Sequence, residues 1–139
     1  MDDFLTIDDL SRAELETLLE LAEHASVPVI NRLSDYNHPC QAFSDIFTVM
    51  ELRPHLQGLK MAFVGDGNNV ATSLLLICAR LGMHFSIASP DGYELDAVVA
   101  ARGRELAAES GSDFQQMHDP DKAVVEADII YTDVWTSMA

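Results

Sequence analysis

The chain has 139 residues, of which 23 are acidic and 8 basic, giving a formal net charge of −15 and an isoelectric point near 4.3. Nucleic acids and anionic membranes repel such a charge unless a basic patch is present, so the composition argues against both as partners. Apolar residues make up 48% of the sequence, which suffices for one domain with a single core. Two cysteines make no disulfide framework and no signal segment is apparent, so a cytoplasmic location is expected.

The N-terminal part of the sequence predicts an amphipathic helix followed by a short strand. Residues 3–23 carry leucines at helical spacing, and Ser11 with Glu14 forms a capping box. Ser26 to Asn31 has the pattern of a strand, which Pro28 confines to an edge or a strand start because proline lacks a backbone donor. The helix is expected to serve packing.

A second helix is predicted to begin at His38-Pro39, where proline suits the first turn and Asn37 can act as the cap. His38 and Gln41 lie near the positive end of this helix, so an imidazole, an amide and backbone N–H groups could bind an anion there. A histidine at a helix start is also commonly just exposed, and the pattern leaves both interpretations open. The buried side of the helix is expected to contain Ala42, Phe43, Ile46, Phe47 and Met50.

The stretch from Lys60 to Val70 predicts a strand, a glycine turn and the start of a helix. The apolar run from Met61 to Val64 is typical of a buried parallel strand. It stops at Gly65 and Gly67, which permit a tight turn and close approach to a ligand. In an open α/β sheet such a turn lies at the carboxyl ends of the strands, where ligands bind and a helix N-terminus offers free N–H groups.

The polar residues of this turn have two interpretations. A dinucleotide fingerprint needs a third small residue where Val70 stands, which weakens the alternative of a nicotinamide-dependent oxidoreductase. Asn68 and Asn69 could offer amide groups to a polar ligand, although asparagine at a helix start is often only a cap. Spacing alone favours capping over ligand binding.

Strands and helices alternate through the rest of the chain. Further strands are predicted at residues 84–89, 114–117 and 128–132. A helix is expected from Asn68 to Leu81, with Gly82 after its end. A second is defined by Leu95, Val98, Val99 and Leu106 and continues to about Ser110. A third runs from Pro120 to Ala127, with Asp119 as its cap. The alternation predicts an α/β fold with a parallel, doubly wound, Rossmann-like sheet of about four to five strands and helices on both faces.

The histidines and cysteines show no metal-binding pattern. The five histidines do not fall at zinc-ligand spacing with Cys40 or Cys78, and neither H-E-x-x-H nor C-x-x-C occurs. No metal site and no cofactor are predicted.

Three motifs, by their order and separation, resemble ornithine carbamoyltransferase: His38-Pro39-Cys40-Gln41, Gly65-Asp66-Gly67-Asn68-Asn69-Val70 and Asp133-Val134-Trp135-Thr136-Ser137-Met138. The intervening segments are similar as well, so the resemblance covers nearly the whole chain. It implies transfer of the carbamoyl group from carbamoyl phosphate to the δ-amino group of L-ornithine, giving citrulline and phosphate without a cofactor. The family works mainly by positioning its two substrates and stabilising developing charge.

The resemblance also implies roles for single residues. His38 and Gln41 match the residues that hold the carbamoyl oxygen and amide, and they are the predicted catalytic pair. A carboxylate at Asp133 suits the α-ammonium group of ornithine, and an amide with backbone groups suits its carboxylate. The predicted ornithine contacts are Asn69, Asp133, Ser137 and Met138.

The sequence departs from the family pattern at the phosphate side. The Ser-x-Arg-Thr segment expected after the first helix is absent, as is the later His-Cys-Leu-Pro segment. We therefore expect an internal deletion and a C-terminal truncation, with residues 1–25 as a helix left from the carbamoyl-phosphate domain, 26–58 as a strand and linking helix, and 59–139 as an incomplete ornithine-binding domain. Without arginines for the phosphate, turnover by this chain alone should be absent or very weak.

Two further expectations follow from that pattern. One alternative function is a non-catalytic fragment that binds an amino acid or acts as a scaffold. Strand edges and apolar stripes without cover promote association, so the first helix and the strand at 26–31 are expected either to dock onto the remaining sheet or to be exchanged between copies in a homo-oligomer.

Overall fold

The structure is a computed structural model that describes residues 11–17 and 38–133. Residues 12–17 are helical (α1), and the further elements are α2 (Pro39–Leu52), β1 (Lys60–Val64), α3 (Asn69–Leu81), β2 (His84–Ala88), α4 (Ala97–Ser110), β3 (Phe114–Met117), α5 (Pro120–Ala123) and β4 (Ile129–Thr132). The strand predicted at residues 26–31 and most of the helix predicted at 3–23 lie outside the described residues.

The four strands form one parallel sheet in the order β3-β2-β1-β4. Phe63 of β1 stands opposite Ile87 of β2 on one side and Tyr131 of β4 on the other. The chain runs outward from β1 through β2 to β3 and then returns to the far side of β1. The order therefore reverses between β1 and β4, which is the switch point where open α/β sheets bind ligands.

Helices cover both faces of the sheet, as predicted. Phe85 and Ile87 of β2 share one face because side chains alternate along a strand, so Ser86 between them points to the other. The Ser86 hydroxyl donates a 2.8 Å hydrogen bond to the carbonyl of Ala123 in α5. Helix α5 thus lies on the face opposite to Phe85 and Ile87, which identifies the doubly wound arrangement.

Helix α3 is the centre of the core. Every residue from Val70 to Ala79 is buried, because the helix packs against the sheet, α2 and α4. The Cys78 thiol lies 3.9 Å from the sulfur of Met61 in β1. Burial raises the pKa of Cys78 well above its usual range, so this thiol is chemically inert.

Three predicted caps are confirmed. Ser11 N–H donates to the Glu14 carboxylate at 2.8 Å and Glu14 N–H donates to the Ser11 hydroxyl at 3.3 Å, which is the reciprocal capping box. Gly82 ends α3 in the left-handed region, with φ 76°. Asp119 caps α5 by accepting from the N–H groups of residues 121 and 122.

One helix ends earlier than predicted, and one apolar residue of another helix lies at the surface. Helix α5 ends at Ala123 rather than Ala127, because the chain turns and Glu126 adopts a positive φ of 56°. Val98 is one of the apolar residues from which α4 was predicted, but its side chain is 75% exposed. Helix α4 faces α3 through Gly103, where an added Cβ would lie 2.6 Å from a methyl group of Leu75, so Val98 falls on the outer side.

The apolar side of α2 also differs from the prediction. Ala42 and Ile46 are buried as expected, whereas Phe47 is only partly buried and Val49 takes the core position. In the part of the chain that the structure describes, no helix combines the length and apolarity that crossing a membrane requires.

Candidate substrate-binding site

The turn after β1 meets the end of β4 at the switch point. The Asn68 side-chain amide donates to Asp133 Oδ2 at 2.9 Å. Asp133 directly follows β4, and β4 pairs in parallel with β1, so both groups lie at the carboxyl edge of the sheet. Asn69 and Asp133 were the ornithine contacts predicted at this edge, whereas the amide that contacts Asp133 in the structure is that of Asn68.

Asn68 has two tasks at this turn. Its side-chain oxygen accepts from the N–H groups of Val70 at 3.0 Å and Ala71 at 3.1 Å, which caps α3. Its nitrogen holds Asp133. The capping interpretation is therefore correct for Asn68, while Asn69 is the first residue of α3, one position further along.

Gly67 brings the turn against a neighbouring loop. Its N–H donates to the Tyr93 carbonyl at 2.8 Å. A Cβ at this position would lie 2.4 Å from the backbone nitrogen of Leu95 and 2.5 Å from the carbonyl carbon of Glu94. Since these are backbone atoms, only glycine fits, and here its role is the close approach of two chain segments.

A buried serine joins the first predicted catalytic residue to the turn. His38 is the N-cap of α2, and its backbone N–H donates to the Ser73 hydroxyl at 2.7 Å. That hydroxyl donates in turn to the Asn69 carbonyl at 2.9 Å, and Ser73 is fully buried. Hence His38 and Asn69, which were predicted to serve different substrates, are linked through one side chain.

The second predicted catalytic residue belongs to a polar cluster between α2 and β4. Gln41 Nε2 donates to Asp45 Oδ1 at 2.8 Å. Burial, reinforced by hydrogen bonding with Asp45 and the negative charges of Asp45 and Asp133, raises the pKa of Tyr131 to about 12. The Tyr131 ring stacks on Phe63 with centroids 5.5 Å apart, so this side chain is held in place by the core.

The sequence did not predict Asp45, Asn68 and Ser73 as residues of the site. Asp45 follows Gln41 by four positions, and a Gln–Asp pair at this spacing on a helix is a recognisable hydrogen-bonding signal. The role of Asn68 was visible only as a cap, and Ser73 gave no signal in the sequence. Ser137 and Met138 lie outside the described residues, so their roles stay predictions. Asn37 was predicted as the cap of α2, but the N-cap is His38, because the helix begins at Pro39.

Surface cavities formed by the described residues include two open clefts of about 540 and 520 Å³. The first is between α1 and the segment after α2, and the second is between α2 and β4, bordered by Asp45 and Tyr131. Neither is lined by Asn69 or Asp133. The candidate site is therefore indicated by converging polar groups and by the switch point rather than by an enclosed cavity.

A cluster of three exposed side chains could accept a cation. One ligand atom each from Asp91, Glu94 and His118 lies within 4.8 Å of the others, and His118 Nδ1 is 3.3 Å from Asp91 Oδ1. These residues come from two separate loops, so a search for sequence spacing does not find them. Exposed acidic groups often come together without an ion, and we assign no metal here.

Comparison with known families identifies the chain. Residues 57–139 match the family model for the Asp/Orn binding domain of aspartate/ornithine carbamoyltransferase, and residues 12–51 match the model for its carbamoyl-P binding domain. The chain belongs to the aspartate/ornithine carbamoyltransferase family. The ornithine carbamoyltransferase of Thermococcus kodakarensis is 54% identical over 119 residues, which are 86% of this chain and 38% of the relative.

Solved structures of the family agree with this assignment. The crystal structure of ornithine carbamoyltransferase from Gloeobacter violaceus has a TM-score of 0.75 and 50% identity, over 89% of this chain and 42% of the other. The enzyme from Pyrococcus furiosus has a TM-score of 0.75 and 49% identity, over 91% and 40% of the two chains. The chain thus spans about two fifths of the length of the curated relatives it matches. The division of this family member at residues 25 and 58 stays a prediction.

Proposed function

We propose that this chain forms the amino-acid side of an ornithine carbamoyltransferase site, binding L-ornithine and supporting little or no carbamoyl transfer by itself. The observation that carries the proposal is the hydrogen bond between Asn68 and Asp133 at the switch point. It holds a carboxylate where the α-ammonium group of an amino acid would enter, beside the N-terminus of α3.

The chemistry of the site suits a zwitterionic guest. The Asp133 carboxylate attracts the α-ammonium group of ornithine. Asn69, the first residue of α3, and the positive end of the α3 dipole attract the α-carboxylate, because a helix N-terminus favours negative charge. With both ends of the amino acid held in this way, the side chain of ornithine would extend toward His38 and Gln41, where the carbamoyl group is transferred.

In this proposal His38 and Gln41 hold the carbamoyl group. Polar groups placed around a carbonyl stabilise the charge that develops on its oxygen as the δ-amino group attacks. The Ser73 hydroxyl fixes the backbone of His38 relative to Asn69, so the two substrates would be positioned against each other through one contact.

The charges of the chain disfavour the phosphate of carbamoyl phosphate. Arg12, Arg102 and Lys122 are in ion pairs with acidic residues three or four positions away. Lys60 Nζ donates to the Val125 carbonyl. With a net charge of −15 and these cations engaged elsewhere, charge-assisted binding of a phosphate should be weak.

Calorimetric titration with L-ornithine, with and without carbamoyl phosphate, tests the proposal. We expect saturable ornithine binding that changes little when carbamoyl phosphate is added. Absence of ornithine binding under both conditions would contradict it. Strong enhancement by carbamoyl phosphate would instead show that the phosphate side is functional.

An assay of citrulline formation separates the enzyme from the alternative, an amino-acid-binding module without catalysis. Two observations favour the module. Asn68 and Asp133 are hydrogen-bonded at the proposed amino-acid site, and the side chains of Arg12 and Lys60 are bound to other groups of the chain rather than available for a phosphate. We expect citrulline near the background level from the wild-type chain. Efficient formation that is lost in His38→Ala would contradict weak turnover and assign full carbamoyltransferase activity to this chain.

Self-association remains part of the proposal. Among the described residues, Leu52, Val98 and Ile130 are large apolar side chains that are 60–75% exposed. A second copy could cover them, with the net charge opposing association at low salt. Strictly monomeric elution at high concentration and high salt would count against a homo-oligomer.

A further inference from the structure

The Gln41 carboxamide is tied to Asp45 one turn further along α2. Gln41 Nε2 lies 2.8 Å from Asp45 Oδ1 in a partly buried setting. An ionised carboxylate can only accept hydrogen bonds, whereas a carboxamide has a donating nitrogen and an accepting oxygen. The nitrogen of Gln41 must therefore face Asp45, and its oxygen is turned away as an acceptor.

This orientation determines which ligand group can form a hydrogen bond with the side-chain oxygen of Gln41. An acceptor oxygen is satisfied by a ligand with an N–H or O–H group and is left unpaired by a methyl group. The carbamoyl group has an NH₂ group, and the acetyl group has a methyl group of similar size at the same place. The two acyl phosphates thus differ in the one feature that Gln41 is oriented to detect.

We propose that Asp45 is a positioning residue that fixes Gln41 as a hydrogen-bond acceptor and so makes the site selective for a transferred group carrying an N–H. The proposal rests on the proposed function and adds to it the origin of selectivity for the transferred group. Asp45 itself touches no substrate in this scheme.

The surroundings of Asp45 support this role. Tyr131 of β4 lies beside the carboxylate, and its ring is held by stacking on Phe63. Burial raises the pKa of Tyr131, so its hydroxyl stays protonated and places no negative charge beside Asp45. Gln41 Nε2 supplies the hydrogen bond to Asp45 Oδ1, and the buried Oδ2 has no partner among the described residues, so a flip of the Gln41 amide would leave this carboxylate without a donor.

Matched variants separate this role from simple helix stabilisation. In Asp45→Asn the new side chain can accept or donate, so both orientations of Gln41 are allowed. Asp45→Glu keeps an acceptor-only carboxylate and serves as the conservative variant. Glu51→Gln makes the same charge change at an exposed position of α2 and is the control.

The experiment is a titration of the ¹⁵N-labelled chain with carbamoyl phosphate and, separately, with acetyl phosphate, followed by NMR. In the wild type and in Glu51→Gln, carbamoyl phosphate should bind about tenfold more tightly, because an unpaired acceptor is costly. In Asp45→Asn the two affinities should come within about threefold of each other. Recovery of the preference in Asp45→Glu would support positioning. An unchanged preference in Asp45→Asn would overturn the proposal.

The ligand-free spectra provide an independent readout. The side-chain NH₂ protons of Gln41 should exchange with solvent more slowly in the wild type than in Asp45→Ala. Equal exchange rates would overturn the positioning role even if the proposed function is correct. A third outcome is that the Gln41 NH₂ protons exchange slowly but neither acyl phosphate shifts any NMR signal. That outcome would refute the proposed binding of the carbamoyl group at His38 and Gln41, and with it the selectivity proposed for this site.

Discussion

The side-chain amide of Asn68 donates a 2.9 Å hydrogen bond to Asp133 Oδ2 and thereby joins the turn after β1 to the residue after β4. The same side chain caps α3 through its oxygen. One residue thus orients the carboxylate of the site and starts the helix whose N-terminus faces the site. Capping and orientation can be separated because they use different atoms of Asn68.

Substitution of Asn68 should distinguish these two tasks. Asn68→Ala removes both, and loss of the cap alone should lower the free energy of unfolding by about 0.5–2 kcal/mol. Asn68→Ser keeps a good cap but is too short to hold Asp133, so it should retain most of the stability and lose ornithine affinity. Thermal denaturation followed by circular dichroism measures the first property and calorimetry the second. Wild-type ornithine affinity in Asn68→Ser would refute the orienting role.

Ser73→Ala should loosen the connection between α2 and α3. The His38 N–H would lose its acceptor in a partly buried setting, and we expect a loss of about 1–3 kcal/mol in the free energy of unfolding. The same N–H should also exchange with solvent faster. Denaturant titration and hydrogen exchange measure the two effects, with the exposed Ser44→Ala as control. Unchanged exchange at His38 would show that the hydrogen bond does not hold α2.

Gly67→Ala should disturb the turn of the site. The added Cβ would collide with backbone atoms of residues 94 and 95, and overpacking of this kind typically costs about 1–3 kcal/mol. Because the turn must shift, ornithine affinity should fall as well. Gly58→Ala places a Cβ in open space at a positive φ, so it should cost stability without affecting ornithine binding. Equal ornithine affinity in both variants would contradict this account of Gly67.

The pH dependence of stability should carry a contribution from Tyr131. Its pKa in the folded chain is about 12, against about 10 for an unfolded tyrosine. The unfolded chain therefore releases this proton first, and the stabilising contribution present below about pH 10 is lost as pH rises toward 12. Unfolding by denaturant across this range should show a steeper loss in the wild type than in Tyr131→Phe. Parallel curves would show that folding does not raise the pKa of Tyr131.

Much of the fold could be predicted because its signals are local. The capping box at Ser11, Gly82 after α3 and Asp119 before α5 depend on neighbours within a few residues. The exposure of Val98 could not be predicted, since it depends on which face of α4 approaches α3. That face is set by Gly103 against Leu75, a contact between residues far apart in sequence.

The features of the site also fall into those that the sequence predicted and those that depend on contacts between distant residues. The placement of Asp133 and the glycine turn at one sheet edge followed from the order of strands and helices. The contacts of Asn68 with Asp133 and of Ser73 with His38 join residues 65 and 35 positions apart, and no local pattern encodes them. The pair of Gln41 and Asp45 was accessible from its spacing on one helix, because residues four apart face each other.

Calorimetric titration of Asp133→Asn with L-ornithine tests the central claim most directly. Asp113→Asn removes the same charge from an exposed position before β3, at the amino end of the strands, and is the matched control. Loss of a charged hydrogen-bonding partner should weaken binding about tenfold or more in Asp133→Asn, with wild-type affinity in Asp113→Asn. Equal ornithine affinity in the wild type and Asp133→Asn would contradict the assignment of this crevice as the amino-acid site.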